Sequence, residues 1–214
     1  MISRMRGFRR KVVLAIGIAV AALSFAAVAG AGSSFPNGGF ETGDFSFWNV
    51  QSTGSGNWFV SDKIITPLNG YGWRGPVEHE FAAVTDDTNP GTHVLYRFLS
   101  LGAKRAKLSL WLYYKNHGSG FCDAGTLDYT TVSCNQQIRV DILQPAASPT
   151  SVNPADVLIP IFHTKDSSSK SQKPKNFTVN LKSLSGTVML RIAEVDNQGT
   201  INAAVDNVQL NFGG

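Results

Sequence analysis

The sequence predicts an all-β protein: a two-sheet antiparallel β-sandwich of jelly-roll type, preceded by a signal peptide over residues 1–31. Three observations carry that expectation. Short runs of period-two hydrophobicity recur along the chain, and such alternation places apolar side chains on one sheet face and polar ones on the other. The 21 glycines and 9 prolines are spread between those runs, where they act as turn formers. Beyond residue 31 no long stretch shows the capped 3.6-residue period of a surface helix.

The N-terminus reads as a targeting segment. Arg4, Arg6, Arg9, Arg10 and Lys11 precede an uncharged apolar run from Val12 to Ala31. The run closes on small residues, Ala27-Val28-Ala29 and Ala29-Gly30-Ala31, both of which fit a signal-peptidase exit. An uncleaved membrane anchor is the alternative, since 20 apolar residues suffice to span a bilayer. Arg9-Arg10 also allows twin-arginine export. Removing the leader changes the charge argument. It holds five of the 19 basic residues and none of the 15 acidic ones, which leaves 14 against 15. The pI of 9.1 therefore belongs to the leader, and neither nucleic acid nor, after cleavage, a membrane surface is an expected partner.

The first mature segment, Asn37–Val50, begins with two adjacent glycines. Gly38 and Gly39 allow a backbone path closed to residues with a Cβ. A strand beginning near Phe40 would bury Phe40 and expose Glu41, Thr42-Gly43-Asp44 would turn, and Phe45, Phe47 and Trp48 would plug one end of the sandwich. Nine strands follow: 57–64, 77–85, 93–101, 106–116, 136–144, 157–163, 176–184, 187–195 and 201–212. Clean alternation puts Phe177, Val179 and Leu181 on one face, as it does Val188, Leu190 and Ile192, and Ile138, Val140 and Ile142. Arg139, Asp141 and Arg191 then take the opposite faces. Residues 145–156, with three prolines, read as a rigid crossing, and residues 167–175 as a solvated, mobile basic loop. Residues 32–214 are expected to form a single domain.

Cys122 and Cys134 are the only cysteines. In an exported chain an even pair implies a disulfide. Loop-entropy reasoning gives such a short loop about 3 kcal/mol. The destination is extracellular or periplasmic.

Glu41 is a carboxylate beside much apolar surface, and Asp206 sits between Val205 and Val208 where a final strand should run. First and last strands of an antiparallel sandwich are often neighbours, so the two carboxylates could converge on a hard cation, for which calcium is the natural choice. Asn37–Trp48 and Val205–Leu210 resemble the two signature segments of carbohydrate-binding modules with a galactose-binding-like jelly roll. Phe81–Tyr96, Asn135–Leu143 and Leu190–Leu210 resemble secreted bacterial proteins of the same fold. The resemblance implies a structural calcium held by Glu41 and Asp206, and a structural Asn37.

For ligand binding, the run Lys107–Lys115 places Ser109, Trp111, Tyr113 and Lys115 on one face. Trp111 and Tyr113 would stand about 7 Å apart, a spacing that suits stacking on sugar rings. Arg139, Asp141 and Arg191 would add hydrogen-bonding groups if their strands were neighbours. The alternative is that Trp111 and Tyr113 are packed under a loop. Tyr71, Trp73 and Arg74 lie in a Gly-rich loop that either presents a binding tip or folds over the core. Residues 85–91 read as an Asx/Pro-Gly turn, with a second calcium loop as the rival.

No catalytic motif is present. His79, His93, His117 and His163 are scattered without metal-ligand spacing, no G-x-S-x-G elbow occurs, and Glu78 and Glu80 would share one strand face rather than oppose each other. The expectation is therefore a secreted, non-catalytic, calcium-stabilised binding protein whose partner is a glycan or cell-surface polysaccharide. The alternatives are a structural or adhesive protein without a sugar site, or a glycan-active hydrolase.

Overall fold

The computed structural model describes residues 35–102, 105–166 and 168–213. The leader and the domain boundary at residue 31 lie outside them. The described residues form ten strands: β1 (Asn49–Gly54), β2 (Asn57–Ser61), β3 (Ala82–Asp86), β4 (Gly91–Leu101), β5 (Ala106–Asn116), β6 (Gln137–Leu143), β7 (Val157–His163), β8 (Ser171–Asn180), β9 (Gly186–Asp196) and β10 (Ile201–Phe212). They form two five-stranded antiparallel sheets, in the orders β1-β4-β9-β6-β7 and β2-β3-β10-β5-β8. Among the described residues no helix is long and apolar enough to cross a membrane.

The alternation in the sequence sets the core. Leu108, Leu110, Leu112, Ile138, Val140, Ile142, Val188, Leu190 and Ile192 all point between the sheets and pack in one cluster. At about 25 cal/mol per Å² of apolar surface, burying each such side chain contributes roughly 1.5–3 kcal/mol. Two smaller clusters lie on the outer faces. One joins Val94, Ala193 and Val195 to Leu127 of the disulfide loop. The other joins Val84, Tyr113 and Ala204 to Phe59, Trp73 and Val77. Both outer faces are thus partly roofed by loops.

The two chain ends meet. The N–H of Val208 donates to the Gly38 carbonyl at 2.8 Å. Phe40 and Val208 lie in the same core cluster. The reason for Gly38 is close approach: a Cβ there would drive into the Val208 carbonyl oxygen. Arg97 of β4 holds the segment from the other side, with its guanidinium 4.0 Å from the Phe35 ring centroid and Nη1 donating to the Pro36 carbonyl at 2.6 Å. The Asn37 amide donates to the Asp44 and Ser46 carbonyls, which gives that residue its part in shaping the turn.

Several elements differ from the sequence expectation. Phe40 is fully buried as expected, but it lies in a turn with φ 62° rather than in a strand. The first strand is instead β1, which is polar and went unread. Phe47 is 62% exposed and takes no part in the end plug. The strand expected from residue 77 begins at Ala82, so Glu78 and Glu80 share no strand face. Residues 171–175, read as a loop, open β8. This strand is the edge of its sheet, where lysines and a proline at a break in register discourage pairing with another chain. Asp86 and Asp87, read as turn residues, are buried.

Candidate functional site

The residues between β2 and β3 form a strap across the outer face of the β5-containing sheet. It is tied down by carboxylates that accept backbone N–H groups. Asp86 takes those of Leu68 and Asn69 through Oδ2. Asp206 takes those of Val77 and Glu78 at 2.8 and 2.9 Å. Glu41 takes those of Glu80 and Phe81 at 3.1 and 3.2 Å. Between these anchors Tyr71 stacks on His117, with ring centroids 3.9 Å apart. Trp73 lies flat against Tyr113 at 5.8 Å and an interplanar angle of 5°. The Tyr113 hydroxyl donates to the Gly75 carbonyl at 2.6 Å. Burial pushes the Tyr113 phenol well above its usual range, so it serves as a neutral donor. The Gly-rich segment is therefore a folded-over roof.

Tyr113 and Trp111 share the outer face, as their alternation requires. Tyr113 is only 3% exposed, its ring taken up by Trp73, while Trp111 is half-buried opposite Asp206. Arg139, Asp141 and Arg191 do not join them. β6 and β9 belong to the other sheet, because period-two patterning fixes which face a side chain takes but not which strands are neighbours. There Asp141 is buried, bonded by the Arg191 guanidinium and by Arg139 Nε. Arg191 Nη1 also donates to the Pro149 and Ser151 carbonyls. The three residues hold the 145–156 crossing against its sheet, and the five do not form one binding face.

Beside the Trp73–Tyr113 stack, between the strap and β8, lies a cavity of about 240 Å³. Its lining includes Trp73, Arg74, Lys115, Gln172, Lys173 and Asn202, and holds no carboxylate. Among the described residues none of its three cations is ion-paired. Sequence reasoning singled out Trp73 and Arg74 but not β8, because a strand was not expected before residue 176.

Glu41 and Asp206 meet at Gly39. A Cβ there would stand 3.6 Å from Glu41 Oε1 and 3.9 Å from Asp206 Oδ1. Among the described residues neither carboxylate has an ion-pair partner. Burial, and more weakly the charge of Glu41, raise the Asp206 carboxyl above the usual range, against the pull of three backbone N–H groups. Two carboxylates without an ion-pair partner, each accepting backbone N–H groups and keeping a lone pair free, fit a hard, oxygen-seeking cation in charge and donor type.

A second set of metal-ligating side chains went unread. His93, Glu194 and Asp196 offer ligand atoms that all lie within 4.8 Å of one another. The signal was available: continuing the inward alternation of Val188, Leu190 and Ile192 by two more steps carries Glu194 and Asp196 into the core.

The Cys122–Cys134 disulfide is present. Between the cysteines, Leu127 packs on the outer face of the other sheet, and the amides of Asn135 and Asn197 bind carbonyls of the loop.

No family model matches the chain, and no curated protein matches it in sequence. Its fold is that of carbohydrate-binding modules. The module TmCBM61, solved in complex with β-1,4-galactotriose, superposes with a TM-score of 0.52 at 15% identity, over 85% of this chain and 99% of that one. The K3 cleaved adhesin domain of Lys-gingipain from Porphyromonas gingivalis W83 gives 0.47 at 13% identity, over 80% and 94% of the two chains. The CBM22-1 xylan-binding domain of Paenibacillus barcinonensis Xyn10C gives 0.44 at 12%, over 81% and 90%.

Proposed function

We propose that the protein is an exported, non-catalytic binding module that holds a glycan in the groove beside Trp73, with calcium at Glu41 and Asp206 as a structural ion. In this reading residues 1–31 are a leader that is removed, and residues 32–214 are the functional domain. The observation that carries the proposal is the groove itself: an aromatic wall, the Gln172 side chain, and Arg74, Lys115 and Lys173 without a carboxylate among the lining residues. Glycoside hydrolysis uses a pair of carboxylic acids, which this lining does not supply. Trp73 offers an apolar surface against which a pyranose ring packs, and Trp111 lies further along the same face. The three cations favour a glycan bearing carboxylate or sulfate groups.

Two ligand sets test this. β-1,4-galactan oligosaccharides, the ligand class of the TmCBM61 complex, represent neutral chains, and oligogalacturonides represent acidic ones. Calorimetric titration is expected to show binding to the acidic set, weakened by salt. Trp73→Ala should lose roughly tenfold or more in affinity, the scale of an anchoring aromatic. Lys115→Ala should flatten the salt dependence. No binding by the folded protein to either set, or to any glycan on an array, rejects the reading.

Calcium, when bound, would neutralise the paired charges and hold the chain's two ends and the strap together. Adding calcium to protein stripped with a calcium-selective chelator should raise the melting temperature, and Glu41→Ala or Asp206→Ala should remove that response. A melting curve indifferent to calcium would eliminate the ion from the account.

One observation favours a second reading, an adhesive surface. The strap presents Ile64, Ile65 and Leu68 at 69%, 53% and 48% exposure, a cluster of the kind that marks protein contacts. Its support would be loss of partner capture in Ile64→Ser/Leu68→Ser with glycan binding absent.

A further inference from the structure

A cluster that the groove does not use lies inside the sandwich, at the end closed by the β1–β2 turn and the β3–β4 connection. His93 and Glu194 are direct register partners on β4 and β9, and Gly91 pairs with Asp196. His93, Glu194, Asp196 and the nearby Asp87 are all essentially excluded from solvent. His93 Nε2 and Glu194 Oε2 stand 3.9 Å apart, too far for a hydrogen bond. Neither carboxylate oxygen of Glu194 has a hydrogen-bond partner, and no well-formed bond reaches the His93 ring; the Ser55 carbonyl faces that ring, and Asp87 lies against Asp196. A buried carboxylate left this way costs stability, and native folds rarely keep one without a partner or an ion.

The surroundings are built to this cluster. The Gly91 N–H donates to Asp196 Oδ1 at 2.8 Å, and the Thr200 hydroxyl to Asp87 Oδ1 at 3.1 Å. A Cβ on Gly91 would come within 2.7 Å of His93 Nε2 and 2.5 Å of the Ser55 carbonyl. A Cβ on Gly56 would strike Asp86 and Asp87. The two glycines let backbone close over the site with no room for further side chains.

We propose that His93, Glu194 and Asp196 bind one divalent transition-metal ion of the zinc or manganese class as a buried structural site. An imidazole joined to carboxylates suits these ions, whereas calcium prefers oxygen alone. The unpartnered oxygens of Glu194 and a His93 ring nitrogen are the ligand atoms such an ion would use. Protonation agrees with this. Desolvation, reinforced by the neighbouring acids, raises Glu194 and lifts Asp196 to about 8, while burial lifts Asp87 to about 6 and depresses His93 to about 4. Burial thus disfavours charge on these acids, which a divalent ion at the site would offset. The site has no opening for a substrate, so its role is to fasten β4 to β9.

The test uses the purified full chain, unfolded in chelator and refolded with or without Zn²⁺ or Mn²⁺. Expected are one metal ion per chain after desalting and a rise in melting temperature of roughly 5–10 °C at a hundredfold excess over Kd. Glu194→Gln, which keeps the size and shape of the side chain, should stay folded and should lose both the ion and the thermal response. Glu41→Gln and Asp206→Asn should keep both. Failure of the wild type to retain either metal, with an unchanged melting temperature, overturns the proposal. Retention of the same ion by Glu194→Gln overturns it too, by placing the metal elsewhere.

Discussion

Asp141→Ala is expected to destabilise the protein by about 3–5 kcal/mol, the scale of breaking one half of a buried ion pair. The Arg191 side chain is fully buried, and its charge would then face only the Pro149 and Ser151 carbonyls and the neighbouring Arg139. Equilibrium unfolding in urea measures the loss. A paired replacement, Asp141→Leu with Arg191→Met, should recover most of it, since apolar isosteres remove the desolvation cost together with the attraction. The double variant should still differ from the wild type in one respect. Its 145–156 crossing, no longer held by Arg191, should be cut faster by protease while the sandwich stays folded. Equal instability of the single and double variants would show that packing, not the uncompensated charge, sets the cost.

Gly38→Ala should be comparably damaging for a different reason. The added methyl group has nowhere to go, because the atom it meets is the backbone oxygen of Val208, whose own N–H is bonded to the Gly38 carbonyl. The expected outcome is loss of the Val208–Gly38 hydrogen bond and release of the segment carrying Phe40 and Trp48, at a cost of about 3 kcal/mol or more. Tryptophan fluorescence follows the release, and limited proteolysis locates it. Gly39→Ala is the control, since the space there is ordinary contact at 3.5 Å or more. If both variants unfold alike, close approach is not what the first glycine supplies.

Much of the fold was readable because burial is written as alternation. The inward faces of β5, β6 and β9 follow directly from where Leu, Ile and Val recur. What alternation does not encode is which strands lie side by side. Trp111 and Arg139 each point outward, as read, yet they lie on opposite sides of the molecule. The polar strand β1 and the lysine-rich start of β8 were missed for a related cause: both are edge strands, where hydrophobic content is low and backbone pairing alone supplies the structure. The strap is not legible because its anchors are side chains 17 to 129 positions away that bind its backbone N–H groups, and no local pattern reports such a bond. Glu194 is the opposite case. Its inward direction is legible from the alternation, but glutamate is almost never fully buried, so composition argues against the pattern there.

The disulfide loop has a bearing on how the chain matures. Leu127 covers Val94, Ala193 and Val195, an aliphatic patch that would otherwise meet water. Until Cys122 and Cys134 are oxidised that covering has no covalent tie and rests on hydrogen bonds, among them the Thr92 hydroxyl to the Leu127 carbonyl, and the newly made polypeptide would carry a sticky flank whenever they open. Thiol oxidation thus acts as a finishing step that makes the surface safe, and a pool kept reduced should clump at concentrations where the oxidised protein remains dispersed.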